Sequence, residues 1–178
     1  MQSLDNAQRI GPVSDEELAH AVVIGDTAEV KRIVKAGVDI DKKDVAGRFP
    51  LFWAVIKNKL DMIRTLHELG ADMDMCIGPR LDSMIHVAAS NGYKHVILLL
   101  CELGADINVV NRDSSTALHA VAEDAGADTG QLDAIDTLIA SGINCNALDS
   151  DGKSAFDIAQ KWMHTTVARH IKAAMDSM

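Results

Sequence analysis

A short phrase made of Gly, a small or branched residue and a pair of Asp or Asn residues recurs four times along the chain. Its glycines are Gly37, Gly70, Gly104 and Gly142, spaced 33, 34 and 38 residues apart. A small residue precedes each phrase at a matching place: Ala21, Ala54, Ala88, and either Val121 or Ala122. Self-similarity at this period predicts a stacked repeat protein. Such a stack builds an extended recognition surface rather than an enclosed catalytic pocket.

The composition excludes several other classes of protein. Aromatic residues make up 3% of the 178 residues, so the core must use Ala and aliphatic side chains, which suits thin stacked helices. The net charge of −9 argues against a nucleic-acid partner. The longest apolar run, 96–101, is far shorter than the roughly 20 residues of a membrane span, and residues 1–13 contain no apolar signal core. We therefore expect no membrane partner and an intracellular, cytoplasmic location.

The three cysteines, Cys76, Cys101 and Cys145, are an odd and dispersed set. Without a close CxxC pair they give neither a zinc pattern nor a disulfide framework. We expect reduced thiols, with Cys101 buried in an apolar helix and the other two partly exposed near repeat junctions. No cofactor and no metal are expected.

Each repeat is predicted to contain a short helix, a turn, a longer helix and a Gly-terminated exit into a loop. In the third unit the two helices are placed at about 83–91 and 94–103. They end at glycine because this residue enters the left-handed conformation at little cost. In the first unit, Ser14 and Asp26 are predicted N-caps, each with a Glu three residues later. A closing helix is predicted at 165–175.

Two segments carry a family resemblance: 84–89 reads Met-Ile-His-Val-Ala-Ala and 115–122 reads Ser-Thr-Ala-Leu-His-Ala-Val-Ala. They resemble the Thr-Pro-Leu-His-x-Ala-Ala signature of the ankyrin-repeat family, and the Gly-Ala-Asp-x-Asn phrase closes the same repeat. The resemblance implies an all-α solenoid of five helix-turn-helix repeats with β-hairpin or loop fingers, its first and last repeats acting as caps. It also implies that partners bind the concave face formed by fingers and inner helices.

The domain boundaries follow from these matches. A flexible segment, 1–13, is expected before an ankyrin-repeat domain at 14–178. Its repeats are predicted at about 14–43, 44–77, 78–110, 111–148 and 149–175.

Three units depart from the family pattern. The second has Phe49 and Phe52 where the family has Thr and His. The third finger, 78–82, lacks the usual Asp and Gly, which predicts altered finger geometry. The fourth carries about five extra residues within 123–130, whose Gly, Ala and Asp content predicts a mobile loop.

The chain is predicted not to be an enzyme, and no catalytic residue is assigned. In the ankyrin family the position of His86 and His119 starts the inner helix and bonds to backbone, so both are interpreted as structural. No Ser/His/Asp set, HExxH or GxxxxGK motif occurs. The recurrent Asp39, Asp72 and Asp106 are interpreted as loop-bonding residues rather than catalytic acids.

Basic side chains are predicted to line the concave face. Eight of the 17 Lys and Arg residues project onto fingers or inner-helix ends: Lys42, Lys43, Arg48, Lys57, Arg80, Arg112, Lys153 and Lys161. Three acids share this strip: Asp82, Asp113 and Asp151. Either the strip binds an acidic segment of a partner, or it is a solvated mixture of charges. The predicted partner-binding residues are Arg48, Lys57, Arg80, Arg112, Lys153, Lys161 and Trp162.

Aromatic residues leave two further alternatives open. Phe49, Phe52 and Trp53 are interpreted as filling space between the first two units, the alternative being an exposed binding anchor. Trp162 is equally compatible with either role.

The sequence thus predicts a monomeric, non-catalytic scaffold module that binds another protein. The alternatives are a regulatory inhibitor subunit similar to the small ankyrin inhibitors of cyclin-dependent kinases, and a pathogen effector that binds a host protein. Asn108 also lies in a context that resembles that of hydroxylated ankyrin asparagines.

Overall fold

The computed structural model describes residues 14–124 and 129–177, and ten α-helices and one two-stranded sheet lie in that part of the chain. The helices are α1 (Asp15–Ile24), α2 (Thr27–Lys35), α3 (Pro50–Ile56), α4 (Leu60–Glu68), α5 (Met84–Ser90), α6 (Lys94–Glu102), α7 (Ala117–Asp124), α8 (Thr129–Ala140), α9 (Ala155–Lys161) and α10 (Thr165–Ser177). The strands are β1 (Cys76–Ile77) and β2 (Asp82–Ser83), which pair antiparallel.

The helices form five stacked pairs in two rows. The odd-numbered helices α1 to α9 pack side by side in an inner row, and the even-numbered helices α2 to α10 form an outer row. The predicted all-α stack of five repeats is therefore confirmed. The predicted flexible segment 1–13 lies outside the described residues, and so does 125–128, the middle of the predicted mobile loop. On either side of that gap, α7 continues to Asp124 and α8 begins at Thr129.

Small residues allow the inner helices to pack closely. Ala21, Ala54 and Ala88 are fully buried, and in the fourth unit both Val121 and Ala122 are buried. The outer row instead buries large aliphatic side chains: Ile33, Leu66, Leu100, Leu138 and Ile171. The core is thus a continuous aliphatic layer between the two rows, as the low aromatic content predicted.

Local hydrogen bonds define the helix starts and the loops between repeats. The backbone N–H groups of Glu17 and Glu29 donate to the side chains of Ser14 and Asp26, so the predicted N-caps are in place. Each outer helix before a recurrent phrase ends at a glycine with φ between 86° and 96°. The first Asp or Asn of each phrase then accepts the N–H two residues later at 2.9–3.0 Å: Asp39, Asp72, Asp106 and Asn144. The interpretation of these acids as loop-bonding residues is confirmed.

The fingers are of two kinds. In the second, fourth and fifth repeats, the side chains of Asp44, Asn111 and Asp149 each accept two backbone N–H groups and close the turn. Gly78 occupies this position in the third repeat and has no side-chain oxygen, so the chain pairs as β1 and β2 instead. Within the described residues a regular hairpin occurs only here, with one further isolated bridge between Leu148 and Ser154. The described fingers thus include both a hairpin and loops, as expected, and the altered geometry predicted for the third finger is confirmed.

The expected exposure of two cysteines is corrected by the structure. Cys101 is half-buried, because it lies one position beyond Leu100 at the edge of the buried side of α6. Cys145 is buried, because it lies in the turn closed by the bond from the N–H of Ala147 to the carbonyl of Asn144, and its side chain packs into the core there. Cys76 is half-buried, as expected, and all three thiols are free.

Candidate protein-binding face

Backbone hydrogen bonds join the fingers of the last three repeats into one surface. The N–H of Arg112 donates to the carbonyl of Arg80 at 2.8 Å, and the N–H of Ser150 donates to the carbonyl of Asp113 at 2.8 Å. We call the surface formed by the four fingers and the adjacent inner helices the finger face. The fingers of the third, fourth and fifth repeats are held in fixed register, so the side chains that project from them have a stable spacing.

Arg80 is held by acids of the next repeat. Its Nη1 donates to Oε2 of Glu123 at 2.7 Å, and its Nε lies 3.0 Å from Oδ2 of Asp113 without hydrogen-bond alignment. The hydrogen bond to Glu123 is the largest cause of the raised pKa of Arg80, although burial opposes it. Arg80 therefore links the third repeat to the fourth, and much of its charge is neutralised within the chain.

Arg48 is held inside its own repeat. Its Nε donates to Oδ2 of Asp44 at 2.8 Å, and its guanidinium lies 4.7 Å from the ring centroid of Trp53. Phe49 is buried, while Phe52 and Trp53 are half-buried against the core. The interpretation of Phe49 as a space-filling residue is confirmed, and the two other rings keep an accessible edge.

Four of the predicted contact cations project to solvent. Lys57, Arg112, Lys153 and Lys161 are exposed, and none of them forms an ion pair with another described residue. The backbones of Arg112 and Lys153 are fixed by the finger hydrogen bonds, so only their side chains are free to move. The six predicted contact cations therefore divide into two internally paired arginines and four available cations.

The predicted contact Trp162 lies at the C-cap of α9 and is 52% exposed. Nζ of Lys161 is 5.6 Å from the centre of its ring. The next residue, Met163, is 83% exposed and has a φ of 59°. This end of the finger face thus combines a cation with two accessible apolar side chains.

Comparison with known proteins agrees with this geometry. A family model described as "Ankyrin repeats (3 copies)" matches residues 18–111 and 85–175. The chain belongs to the ankyrin-repeat family.

Several proteins resemble this ankyrin chain over part of their length. The Homo sapiens protein named "Palmitoyltransferase ZDHHC13" is 26% identical over 122 residues, which are 66% of this chain and 20% of that protein. "Palmitoyltransferase Hip14" of Drosophila melanogaster is 29% identical over 103 residues, 58% of this chain and 16% of that protein. "Ankyrin repeat domain-containing protein 37" of Mus musculus is 29% identical over 111 residues, 62% of this chain and 67% of that protein. The chain thus spans about a fifth or less of the palmitoyltransferases it matches.

The two buried ankyrin histidines join neighbouring repeats. Nε2 of His86 lies 2.8 Å from the carbonyl oxygen of Ser115, and Nε2 of His119 lies 3.1 Å from that of Lys153. Because a carbonyl only accepts, Nε2 carries the proton in both rings, and Nδ1 accepts from Ser83 Oγ or from Thr116. Burial is the largest cause of the lowered pKa of both histidines. Their interpretation as structural residues is confirmed.

Sequence reasoning missed the apolar residues of the finger face. Leu81, Val110 and Leu148 are exposed, and Val45 is exposed at the second finger. A signal was present, because Val110 and Leu148 each directly precede the residue that closes the finger turn, Asn111 or Asp149. They lie near the available cations and give the finger face an apolar component.

The described part of the ankyrin chain contains neither a metal-binding cluster nor a helix that could span a membrane. No group of three or more His, Cys, Asp or Glu side chains in 14–124 and 129–177 is placed to hold a metal ion. Among the helices of those same ranges, none has the length and apolarity needed to cross a membrane.

Proposed function

We propose that this ankyrin domain is a non-catalytic module that binds an acidic segment of a partner protein across its finger face. The observation that carries the proposal is the set of four cations that project there without an ion pair to any described residue. They are Lys57, Arg112, Lys153 and Lys161, and the exposed indole of Trp162 lies beside Lys161.

The acids of the finger face support this choice of partner. Asp44 is paired with Arg48, while Asp113 and Glu123 surround Arg80. Asp82 accepts from Asn111 at 2.6 Å, and Asp157 caps α9 through Ser154. Of the three acids predicted on the strip, Asp151 is exposed and forms no ion pair with a described residue. One such carboxylate stands against four available cations, so the charge that the face can offer to a partner is mainly positive. Complementary charges would accelerate association and select the partner.

Apolar residues would supply the remaining binding energy. Trp162 and Met163 are accessible at one end of the face, and Val110 and Leu148 are accessible on the fingers. Desolvated aromatic side chains are common centres of binding energy at protein interfaces. We therefore expect a partner segment in which acidic residues alternate with apolar ones.

The test compares three forms of the chain. In the first variant, Lys57, Arg112, Lys153 and Lys161 are changed to Glu; in a control variant, four cations of the outer helices are changed to Glu instead: Lys31, Lys35, Arg64 and Lys94. Circular dichroism melts first establish that both variants fold. Affinity capture identifies proteins that bind the native chain, and each candidate is then purified and titrated against all three forms.

We expect the finger-face variant to weaken binding at least about tenfold, and the native affinity to fall as salt is raised from about 50 to about 300 mM. The outer-helix variant should keep the native affinity. A purified partner that binds the native chain and the finger-face variant equally, or that binds independently of salt, would show that this face is not the site.

The proposal also includes that the two buried histidines have no catalytic role. His86 and His119 use both ring nitrogens in bonds inside the stack, which leaves neither available as a general base. Palmitoyl transfer is not proposed for this chain, because the chain aligns with about a fifth or less of the length of each palmitoyltransferase. The regulatory-inhibitor and host-binding alternatives would use the same face, and the identity of the purified partner decides between them.

A further inference from the structure

The stack has an open face at each end, and each end face carries a groove. At the first repeat, a groove of about 520 Å³ lies between α1 and α2 and is lined by Glu16, Glu17, His20 and Ile24 among others. Ile24 is 55% exposed at its edge. We call this the N-terminal groove. Its acidic side chains make it electrostatically negative.

The groove at the other end is larger and of the opposite charge. It has a volume of about 830 Å³, lies between α9 and α10, and its lining includes Phe156, Met163 and three charged residues, Arg169, Lys172 and Asp176. Its two cations thus outnumber its one carboxylate. Nζ of Lys172 lies 6.0 Å from the ring centre of Phe156 and 2.8 Å from Asp176. Arg169 is exposed and forms no ion pair with a described residue. We call this the C-terminal groove.

Inside the stack, the corresponding faces are covered by the next helix pair. The pair α3 and α4 packs on α1 and α2, and α9 and α10 pack on α7 and α8. Each interior helix pair therefore has one face that a preceding pair covers and one that a following pair covers. The two grooves are the faces left uncovered within the described residues, and they have opposite charges and accessible apolar edges.

We propose that the N-terminal groove of one copy of this chain docks on the C-terminal groove of another copy. In this contact Glu16 and Glu17 of one copy face Arg169 and Lys172 of the other, while Ile24 meets Met163. The contact is head-to-tail, so it uses different surfaces on the two copies and leaves one end of each copy open for further addition. It covers Met163 at one end of the finger face but leaves the four available cations uncovered, and it does not depend on the proposed partner.

The contact is weak, because its charges are solvent-exposed and its apolar area is small. The net charge of −9 on each copy adds a general repulsion. We expect a dissociation constant on the order of 100 µM. The monomer expected from the sequence is then the dilute state of the protein.

Sedimentation equilibrium of the full chain from about 10 µM to about 1 mM tests the proposal, because this range spans the expected constant. The average mass should rise above the monomer mass of 19.1 kDa as the concentration increases. It should return toward that mass in high salt, because screening weakens contacts between exposed charges. A monomer at every concentration overturns the proposal.

Charge reversal tests which surfaces meet. In the proposed contact, Glu16→Arg places a cation opposite Arg169, and Arg169→Glu places a carboxylate opposite Glu16, so each variant alone should remain monomeric. A mixture of the two variants restores opposite charges at the contact and should associate again. Both variants keep a net negative charge, so general attraction between the molecules cannot produce this rescue.

A matched control distinguishes the loss of the groove contact from a general effect of changing the net charge. Asp61 is exposed and lies at the second position of α4, just as Glu16 lies at the second position of α1. Asp61→Arg therefore changes the net charge and the helix terminus in the same way, far from either end face, and should associate like the native chain. Association that survives both groove variants would instead indicate a different contact, such as the finger face, and would refute the docking proposed here.

Discussion

The inner and outer rows of helices are joined by different kinds of contact. Every pair of neighbouring outer helices is linked by one ion pair at the surface: Lys31–Glu68, Arg64–Glu102, Lys94–Asp133 and Asp136–His170. The contact between Asp136 and His170 is an ion pair only when His170 is protonated. Within the described ranges, no ion pair joins neighbouring inner helices. Instead, buried alanines bring the inner helices together, and His86 and His119 bond to the next finger.

The exposed ion pairs are the most visible contacts between the outer helices, but they need not contribute the most to stability. The four outer ion pairs join side chains that are about 40–64% exposed, and such pairs contribute roughly 0–1 kcal/mol each. A buried polar group that loses its partner costs about 1–3 kcal/mol, and a large buried side chain that is truncated costs more. We therefore expect stability to reside in the aliphatic layer and in the histidine bonds rather than in the outer ion pairs.

The largest loss of stability is expected when a buried side chain of the outer row is truncated. Leu100 is fully buried in α6, and Leu100→Ala should reduce the free energy of unfolding by about 2–5 kcal/mol, because it leaves a cavity. Urea denaturation followed by circular dichroism measures this loss. Leu98→Ala is the control on the same helix, since Leu98 is 43% exposed, and should change stability by less than about 1 kcal/mol. Equal losses in both variants would mean that α6 is oriented differently.

The aliphatic layer was predictable because its signals are local. The glycines that follow the outer helices and the capping residues Ser14 and Asp26 all act within a few residues of the helix that they define. The recurrent phrase repeats such local signals every 33 to 38 residues. The predicted helices of the third unit, 83–91 and 94–103, accordingly agree with Met84–Ser90 and Lys94–Glu102 to within a residue. The structural role of His86 and His119 was predictable only through the family resemblance.

The pairing of the charged side chains was not predictable in the same way. Arg80 depends on Asp113 and Glu123, which are 33 and 43 residues further along the chain. The outer ion pairs likewise join residues of different repeats. A count of charges along the sequence treats Arg80 and Arg112 alike, although the first is neutralised and the second is available. The altered third finger was predictable from its missing Asp, but the strand pairing that replaces the turn was not.

A smaller effect is expected in the inner row. His86→Ala removes the bond to the carbonyl of Ser115, which retains the N–H of Asn111 as a donor, and leaves the buried hydroxyl of Ser83 without its acceptor. The loss should cost about 1–3 kcal/mol. Urea denaturation again measures the loss. His95→Ala is the control, because His95 is exposed in α6 and should cost less than about 0.5 kcal/mol. If His86→Ala were as mild as the control, the histidine bonds would not distinguish the inner row from the outer one.

The same histidines predict a dependence of stability on pH. Burial lowers the pKa of His86 and His119 below the usual value of 6.5, so the unfolded chain binds protons that the folded chain does not. Their stabilising contribution is therefore complete above pH 6.5 and is lost as the pH falls below it. The slope is at most about 1.4 kcal/mol per pH unit for each histidine.

Urea midpoints between about pH 7.5 and 5 measure this slope. The double variant His86→Gln and His119→Gln should reduce it, whatever its absolute stability. An unchanged slope in the double variant would assign the pH dependence to other groups.

The smallest effect is expected for the outer ion pairs. Arg64→Ala removes the 3.0 Å contact with Glu102 between α4 and α6, and should reduce stability by no more than about 1 kcal/mol. A double-mutant cycle with Glu102→Ala isolates the interaction, and its coupling energy should lie below that value and decrease as salt is added. A coupling well above 1 kcal/mol that persists in high salt would reverse the comparison between the two rows. The exposed ion pairs would then hold the stack together as strongly as the buried histidine bonds do.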